Sequence, residues 1–261
     1  MKFMKNSGLT TQLMLLFLVV FIVGRPAFVF SQDSLSVLDI LKGARSVIIK
    51  KILGNGTNSG LVFVLENQKN YTIKVSFPYG LMVSSKRMAT QRMVTWREQT
   101  FLVEPSIELE AKLETLCLDA LKNPPMAEDS SYLYIDHLIE DPDILELFDT
   151  IKKLERIISD NVISVKDSRF EMKPIDNDEI IKLATYCQFS EIDSSRYQAK
   201  ISPMVIQCAL WQITDRISAD DLFKIYHVDS VAEREDIKKV AEGAKILLYF
   251  NGMGTTVNFE K

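Results

Sequence analysis

The hydrophobic period of this chain changes once, and that change constrains the fold more than any single motif. Beyond residue 31 the first half alternates apolar and polar residues, the period of half-buried strands. "RSVIIKKIL" (45–53), "LVFVLEN" (61–67) and "YTIKVSF" (71–77) read as strands. They are separated by the turns "GNGTNSG" (54–60) and "NQKN" (67–70), and "FPYG" (77–80) ends the third. Turns at this spacing predict an antiparallel meander. Residues 93–103 and 107–113 read as further strands, although "IELEAKLETL" also fits a helix.

The second half repeats its apolar residues every three or four positions. "DPDILELFDTIKKLERIISDN" (141–161) carries a continuous stripe with Asp141 or Asp143 placed to cap it. "NDEIIKLATYC" is a shorter helix candidate, and residues 202–214 are another, with Pro203 in the first turn. Ser218 with Asp221, and Ser230 with Glu233, have the spacing of capping boxes ahead of the last two helices. The tail "NGMGTTVNFEK" reads as a loop or a short last strand. Strands first and helices second predict an α+β fold: an antiparallel sheet or sandwich in residues 32–125 and a mainly helical part in 126–261, packed as one domain. The Pro-rich stretch 121–131 is the expected seam.

Residues 1–31 are expected to lie outside this fold. Lys2 and Lys5 precede an unbroken apolar run, 13–23, closed by Arg25 and Pro26. That run falls short of the roughly 20 residues a spanning helix needs. It reads as a secretory signal peptide cut between Ser31 and Gln32, with Val29 and Ser31 at the exit; an uncleaved anchor is the alternative. The expected location is therefore periplasmic, cell-surface or extracellular, with no membrane span after cleavage. Removing the segment moves the net charge from −4 to −7, since it holds two Lys, one Arg and no acid. An acidic chain of this kind argues against nucleic acid and anionic membranes as partners.

The run "IQCALWQITD" (206–215) poses the main chemical question, because Gln207 sits in a helix apolar on nearly all sides. A buried carboxamide left unpaired costs about 1–3 kcal/mol, so it needs a partner. One solution is backbone at a neighbouring strand or loop. The other is covalent: a glutamine beside a cysteine thiol can lose ammonia and become a thioester, an acyl group stored for an outside nucleophile. "TLCLDALKNPP" (115–125) supplies a cysteine, Cys117.

Together, "CLD…KNPP…Y" around Cys117 and "IQCALW" around Gln207 resemble the two motifs of bacterial thioester domains, surface adhesion modules with an internal Cys–Gln crosslink. The resemblance covers about twenty residues, in the right order and about ninety residues apart. It implies Cys117 as the thiol and leaving group, Gln207 as the acyl donor, Asp119 as a residue orienting the cysteine loop and Trp211 as a shield over the bond. It also implies a β-rich fold with a helical portion, no enzymatic turnover, and a protein or amine-bearing surface ligand as partner.

Two other readings stay open. Cys117 can instead pair with Cys187 or Cys208 in a disulfide, as exported proteins often do, making the chain a structural module. "YIDHLIEDPD" (134–143) gathers Asp136, His137, Glu140, Asp141 and Asp143, a candidate for calcium binding or for a hydrolase's acid–base work, better explained as a solvated loop before a capped helix. His137 and His227 are the only histidines and have no zinc spacing. No phosphate loop, dinucleotide fingerprint or nucleophile elbow occurs, so no cofactor is expected. Asn55 and Asn70 head glycosylation triplets, both in expected turns.

Overall fold

The alternating segments become strands because each finds a neighbour to complete its ladder. A computed structural model describes residues 33–56, 60–166, 169–193 and 196–253. The proposed leader, its cut site, Thr57 of the first triplet and residues 254–261 of the tail lie outside the described residues.

The chain opens with β1 (Ser34–Ser36) and a short α1 (Val37–Leu41), entered through a capping box between Ser36 and Asp39. Then follow β2 (Val47–Gly54), β3 (Gly60–Asn67), β4 (Ile73–Phe77), β5 (Leu81–Ser85), β6 (Met93–Thr95), β7 (Gln99–Val103), β8 (Glu108–Cys117) and β9 (Leu133–Leu138). Six of these form an antiparallel sheet in the order β2-β3-β8-β6-β5-β9. The other three form a small sheet, β1-β4-β7, in which β1 runs parallel to β4. Phe63 of β3 meets Phe77 of β4 edge to face at 5.0 Å, and Phe77 meets Phe101 of β7 at 5.8 Å. The two sheets therefore pack as a sandwich across an aromatic contact.

Residues 107–113 resolve as strand, not helix. On β8, Ala111 and Leu113 are buried while Glu110, Lys112 and Glu114 are exposed, and β3 and β6 bond to its two edges. The Pro-rich stretch 121–131 is pinned to the sheet. Asn123 exchanges backbone bonds with Ala89 and Gln91, the Gly56 N–H donates to the Pro125 carbonyl at 3.0 Å, and Ala127–Ser131 makes a 3-10 turn.

The second half supplies α2 (Pro142–Asn161), the hairpin β10 (Val162–Lys166) and β11 (Arg169–Met172), α3 (Asp178–Ala184), the hairpin β12 (Cys187–Asp193) and β13 (Arg196–Ile201), then α4 (Pro203–Thr214), α5 (Ala219–Ile225) and α6 (Val231–Phe250). Asp141 caps α2, and Ile144, Leu147, Phe148, Ile151, Leu154 and Ile158 bury its stripe. Both expected capping boxes form, Ser218 with Asp221 and Ser230 with Glu233. The α+β class is thus the observed one, with strands concentrated early and helices late. Two hairpins among the helices and the edge strand β9 were not expected. No helix among the described residues is long and apolar enough to cross a membrane.

Candidate functional site

The candidate site lies where β8 ends and α4 packs against it. Cys117 is the last residue of β8 and is fully buried; Gln207 sits on the second turn of α4 and is 3% exposed. The two residues are in direct contact. The Gln207 Oε1 accepts the Cys117 N–H at 2.8 Å, and Gln207 Nε2 donates to the Cys117 carbonyl at 2.7 Å.

Strand geometry explains this pairing. Leu118 donates its N–H to Arg92 beside β6, at 2.8 Å. Successive residues of a strand face opposite edges, so Cys117 turns its N–H and carbonyl toward the β3 side. Among the described residues the β3 ladder starts at Gly60, opposite Glu114. At Cys117 the carboxamide provides the acceptor and donor that one more strand residue would provide. The same device recurs at Glu114, whose polar groups face the other edge. There the β6 ladder stops at Thr95, opposite Thr115, and Gln99 takes over. Gln99 Oε1 accepts the Glu114 N–H at 2.8 Å and its Nε2 donates to the Glu114 carbonyl at 3.0 Å. Gln99 is solvent-accessible and Gln207 is not, so only the Cys117–Gln207 pair is made in a site closed to water.

The loop after Cys117 is held as firmly. Asp119 accepts from the Arg92 backbone N–H at 2.8 Å and from its guanidinium at 2.7 and 3.0 Å, with Lys122 at 3.4 Å. Burial works to raise the Asp119 pKa, and the Arg92 bonds outweigh it, so its carboxyl lies below the usual range. Asp215, at the end of α4, accepts the Ala120 N–H at 2.8 Å. The helix is thereby tied to the end of β8 at two points, Gln207 and Asp215.

Around the pair the setting is apolar and thiol-rich. The Cys117 Sγ lies 3.3 Å from the Met93 thioether. Burial pushes the Cys117 thiol well up, with the Asp119 charge adding to the effect. Cys208 is pushed up to about 12 by burial, opposed by a hydrogen bond with Tyr226. Tyr226 is itself raised, by burial first and then by its two thiol neighbours, Cys208 and Cys117. No disulfide joins Cys117, Cys187 and Cys208. Trp211, one helical turn beyond Gln207, is fully buried against Tyr226 with ring centroids 6.3 Å apart. Its Nε1 has no hydrogen-bond partner among the described residues.

The acidic stretch before α2 makes contacts of its own. Asp136 and His137 lie on β9, where a solvated loop was expected, and Asp141 serves as the α2 cap. The Asp136 carboxylate holds both the Ser84 hydroxyl, at 2.9 Å, and His137 Nδ1, at 3.0 Å. An acid that binds serine and histidine side by side does not relay a proton from one to the other. Among the described residues no group of three or more His, Cys, Asp or Glu side chains is placed to hold a metal.

Sequence reasoning singled out Cys117, Asp119, Gln207 and Trp211, and all four lie in or beside this junction. It missed Arg92, Asp215, Tyr226 and Gln99. The acid directly after the end of α4 was the available signal for Asp215; nothing local marked the others. No family model, curated protein or solved structure matches this chain.

Proposed function

We propose that this chain is an exported, non-enzymatic interaction module in which Cys117 and Gln207 form an internal thioester that captures an amine-bearing ligand or protein. The observation that supports it is the seating of the Gln207 carboxamide directly on Cys117, ninety residues away in sequence and closed to water. In this reading the Cys117 sulfur adds to Cδ of Gln207. The carbon–nitrogen bond then breaks, and ammonia leaves carrying the thiol proton. The Cys117 N–H already points at Oε1, where negative charge develops in the tetrahedral intermediate. Burial keeps water from hydrolysing the acyl–sulfur bond, with Trp211 as part of the cover. A ligand amine then attacks the acyl carbon, forms an amide with Gln207 and releases the Cys117 thiol.

A second reading has its own support. Both polar atoms of the carboxamide are satisfied by backbone, and burial holds the Cys117 thiol in its protonated, poorly nucleophilic form. The pair is then a structural lock between β8 and α4, and the chain is an exported module without a reactive bond.

Peptide mass spectrometry with and without methylamine separates the two. Methylamine added at Gln207, with a thiol released at Cys117, is the expected result. An unmodified Gln207 in both samples rules out the thioester and leaves the lock. The peptide containing Gln207 must be read directly, because a new N-terminal Gln32 can cyclise and lose the same mass of ammonia.

A further inference from the structure

A cavity of about 340 Å³ lies between the β6–β7 corner and α2, outside the Cys117–Gln207 junction. It is at the small end of the range for ligand pockets, about 300–1,000 Å³. Its apolar wall is made by Trp96 and by Phe148 of α2, both almost fully buried. Tyr79 also lines the cavity and is 44% exposed. One face of Trp96 is covered, because the Arg97 guanidinium lies 3.5 Å above its ring.

The polar groups of the cavity fall into two sets. Arg97 and Glu155 form a fixed wall: Arg97 Nη2 donates to Glu155 Oε1 at 3.2 Å, and the same oxygen accepts the Ile201 N–H at 2.9 Å. Glu98, Asp149 and Lys152 also line the cavity, and none of them forms an ion pair or side-chain hydrogen bond among the described residues. Asp149 and Lys152 share the cavity-facing side of α2 with Phe148 and Glu155, at helical spacing.

We infer that this cavity is a saccharide-binding site, taking a neutral mono- or disaccharide stacked on Tyr79 and hydrogen-bonded to Glu98, Asp149 and Lys152. With Arg97 and Glu155 neutralising each other, the open charges of the lining are Glu98, Asp149 and Lys152. The two carboxylates disfavour a simple anion, and Lys152 beside them weakens the hold on a simple cation. A purely apolar ligand would strip water from three charged groups and return nothing to them. A sugar fits all three constraints. Its hydroxyls both donate and accept, so they serve Lys152 and the two free carboxylates together. Its ring C–H face is apolar and packs on an exposed aromatic ring. The inference is independent of whether a thioester forms.

The test is titration of the purified chain with cellobiose, maltose, lactose and chitobiose, followed by saturation-transfer NMR and calorimetry. At least one disaccharide is expected to bind with a dissociation constant near the millimolar range. Tyr79→Ala and Lys152→Ala should each weaken it tenfold or more. Tyr249→Ala, an exposed aromatic on α6 that does not line the cavity, should leave it unchanged. Two variants guard against misfolding in either one. No binding of any of the four up to about 20 mM, corresponding to a free energy weaker than roughly 2.3 kcal/mol, overturns the assignment. So does binding that both cavity variants retain in full.

Discussion

Replacing Gln207 with glutamate and with leucine tests the lock at the β8–α4 junction. Neither variant can form a thioester, so the comparison reads the hydrogen bonds alone. Gln207→Leu keeps the volume and leaves the Cys117 N–H and carbonyl buried without partners. At about 1–3 kcal/mol per orphaned group, the expected loss is about 2–6 kcal/mol, a large share of the 5–15 kcal/mol typical of a domain. Gln207→Glu behaves differently with pH. Its protonated carboxyl can still accept from the Cys117 N–H and donate to the Cys117 carbonyl. Its ionised form can only accept, in a site closed to water. The folded pKa of the introduced acid is therefore raised above its unfolded value of about 4.3. The stability it confers is fully present below that unfolded value and is lost as pH rises through the folded one. Holding the proton up to pH 7 costs about 1.4 kcal/mol per pH unit, or about 4 kcal/mol in all. Urea unfolding at pH 4 and pH 7, followed by circular dichroism, measures the difference. Gln207→Glu should match the parent chain at pH 4 and approach Gln207→Leu at pH 7. Parallel pH profiles for the parent and Gln207→Glu, or a loss below about 1 kcal/mol for Gln207→Leu, would refute the reasoning.

Asp119→Asn should cost about 2 kcal/mol at neutral pH, since it removes the charge from a partly buried Arg92 pair. The Asp119 pKa is lowered in the fold, so that increment is present above about pH 4 and fades as pH falls through the folded value; the parent and variant unfolding curves should converge in acid. Gly54→Ala places a Cβ on the carbonyl of Pro125, forcing β2 away from the pinned loop; chemical denaturation should show a loss of at least about 2 kcal/mol. Native thiols should react slowly with a thiol-specific reagent at pH 8, because burial raises all three cysteines, Cys187 and Cys208 to about 12. In denaturant, three reacting thiols indicate the lock and two the thioester, provided the count is taken before methylamine.

The long helices were readable because stripe and cap agree. Asp141 ahead of Ile144, Leu147 and Ile151 marks both the start and the buried face of α2, and the Ser230–Glu233 pair does the same for α6. The missed elements lack that agreement. β9 is an edge strand whose burial alternates only from Leu133 to Asp136 and is lost at His137 and Leu138, both exposed, so the signal is short. The hairpin β12–β13 does carry a signal, with Tyr197, Ala199 and Ile201 two residues apart on one face, but a register shift near Asp193 breaks it. That Gln207 is buried followed from its helix. That its partner is the backbone of Cys117 did not, since which edge groups of β8 are left to a side chain is a property of the sheet, not of any local window. Gln99 shows the same limit: an exposed glutamine in "QTF" says nothing until β6 is seen to stop at Thr95.

The two readings of the junction are coupled through one hydrogen bond. A thioester keeps Oε1 beside the Cys117 N–H and gives up the Nε2 donor to the Cys117 carbonyl. That carbonyl, buried and unpaired on that side, costs about 1–3 kcal/mol, so the lock opposes acylation by about that amount. Amine capture does not repair the loss. The primary amide bonds the carbonyl through the hydrogen on the same side as its own oxygen. A secondary amide prefers trans by about 2.5 kcal/mol, which puts the ligand's carbon where that hydrogen stood. The captured state therefore cannot restore the two-bond clamp, and α4 must shift from the end of β8 to make room for the ligand. The Asp215 contact with Ala120, at the far end of the same helix, is the second tie that such a shift has to bend or break.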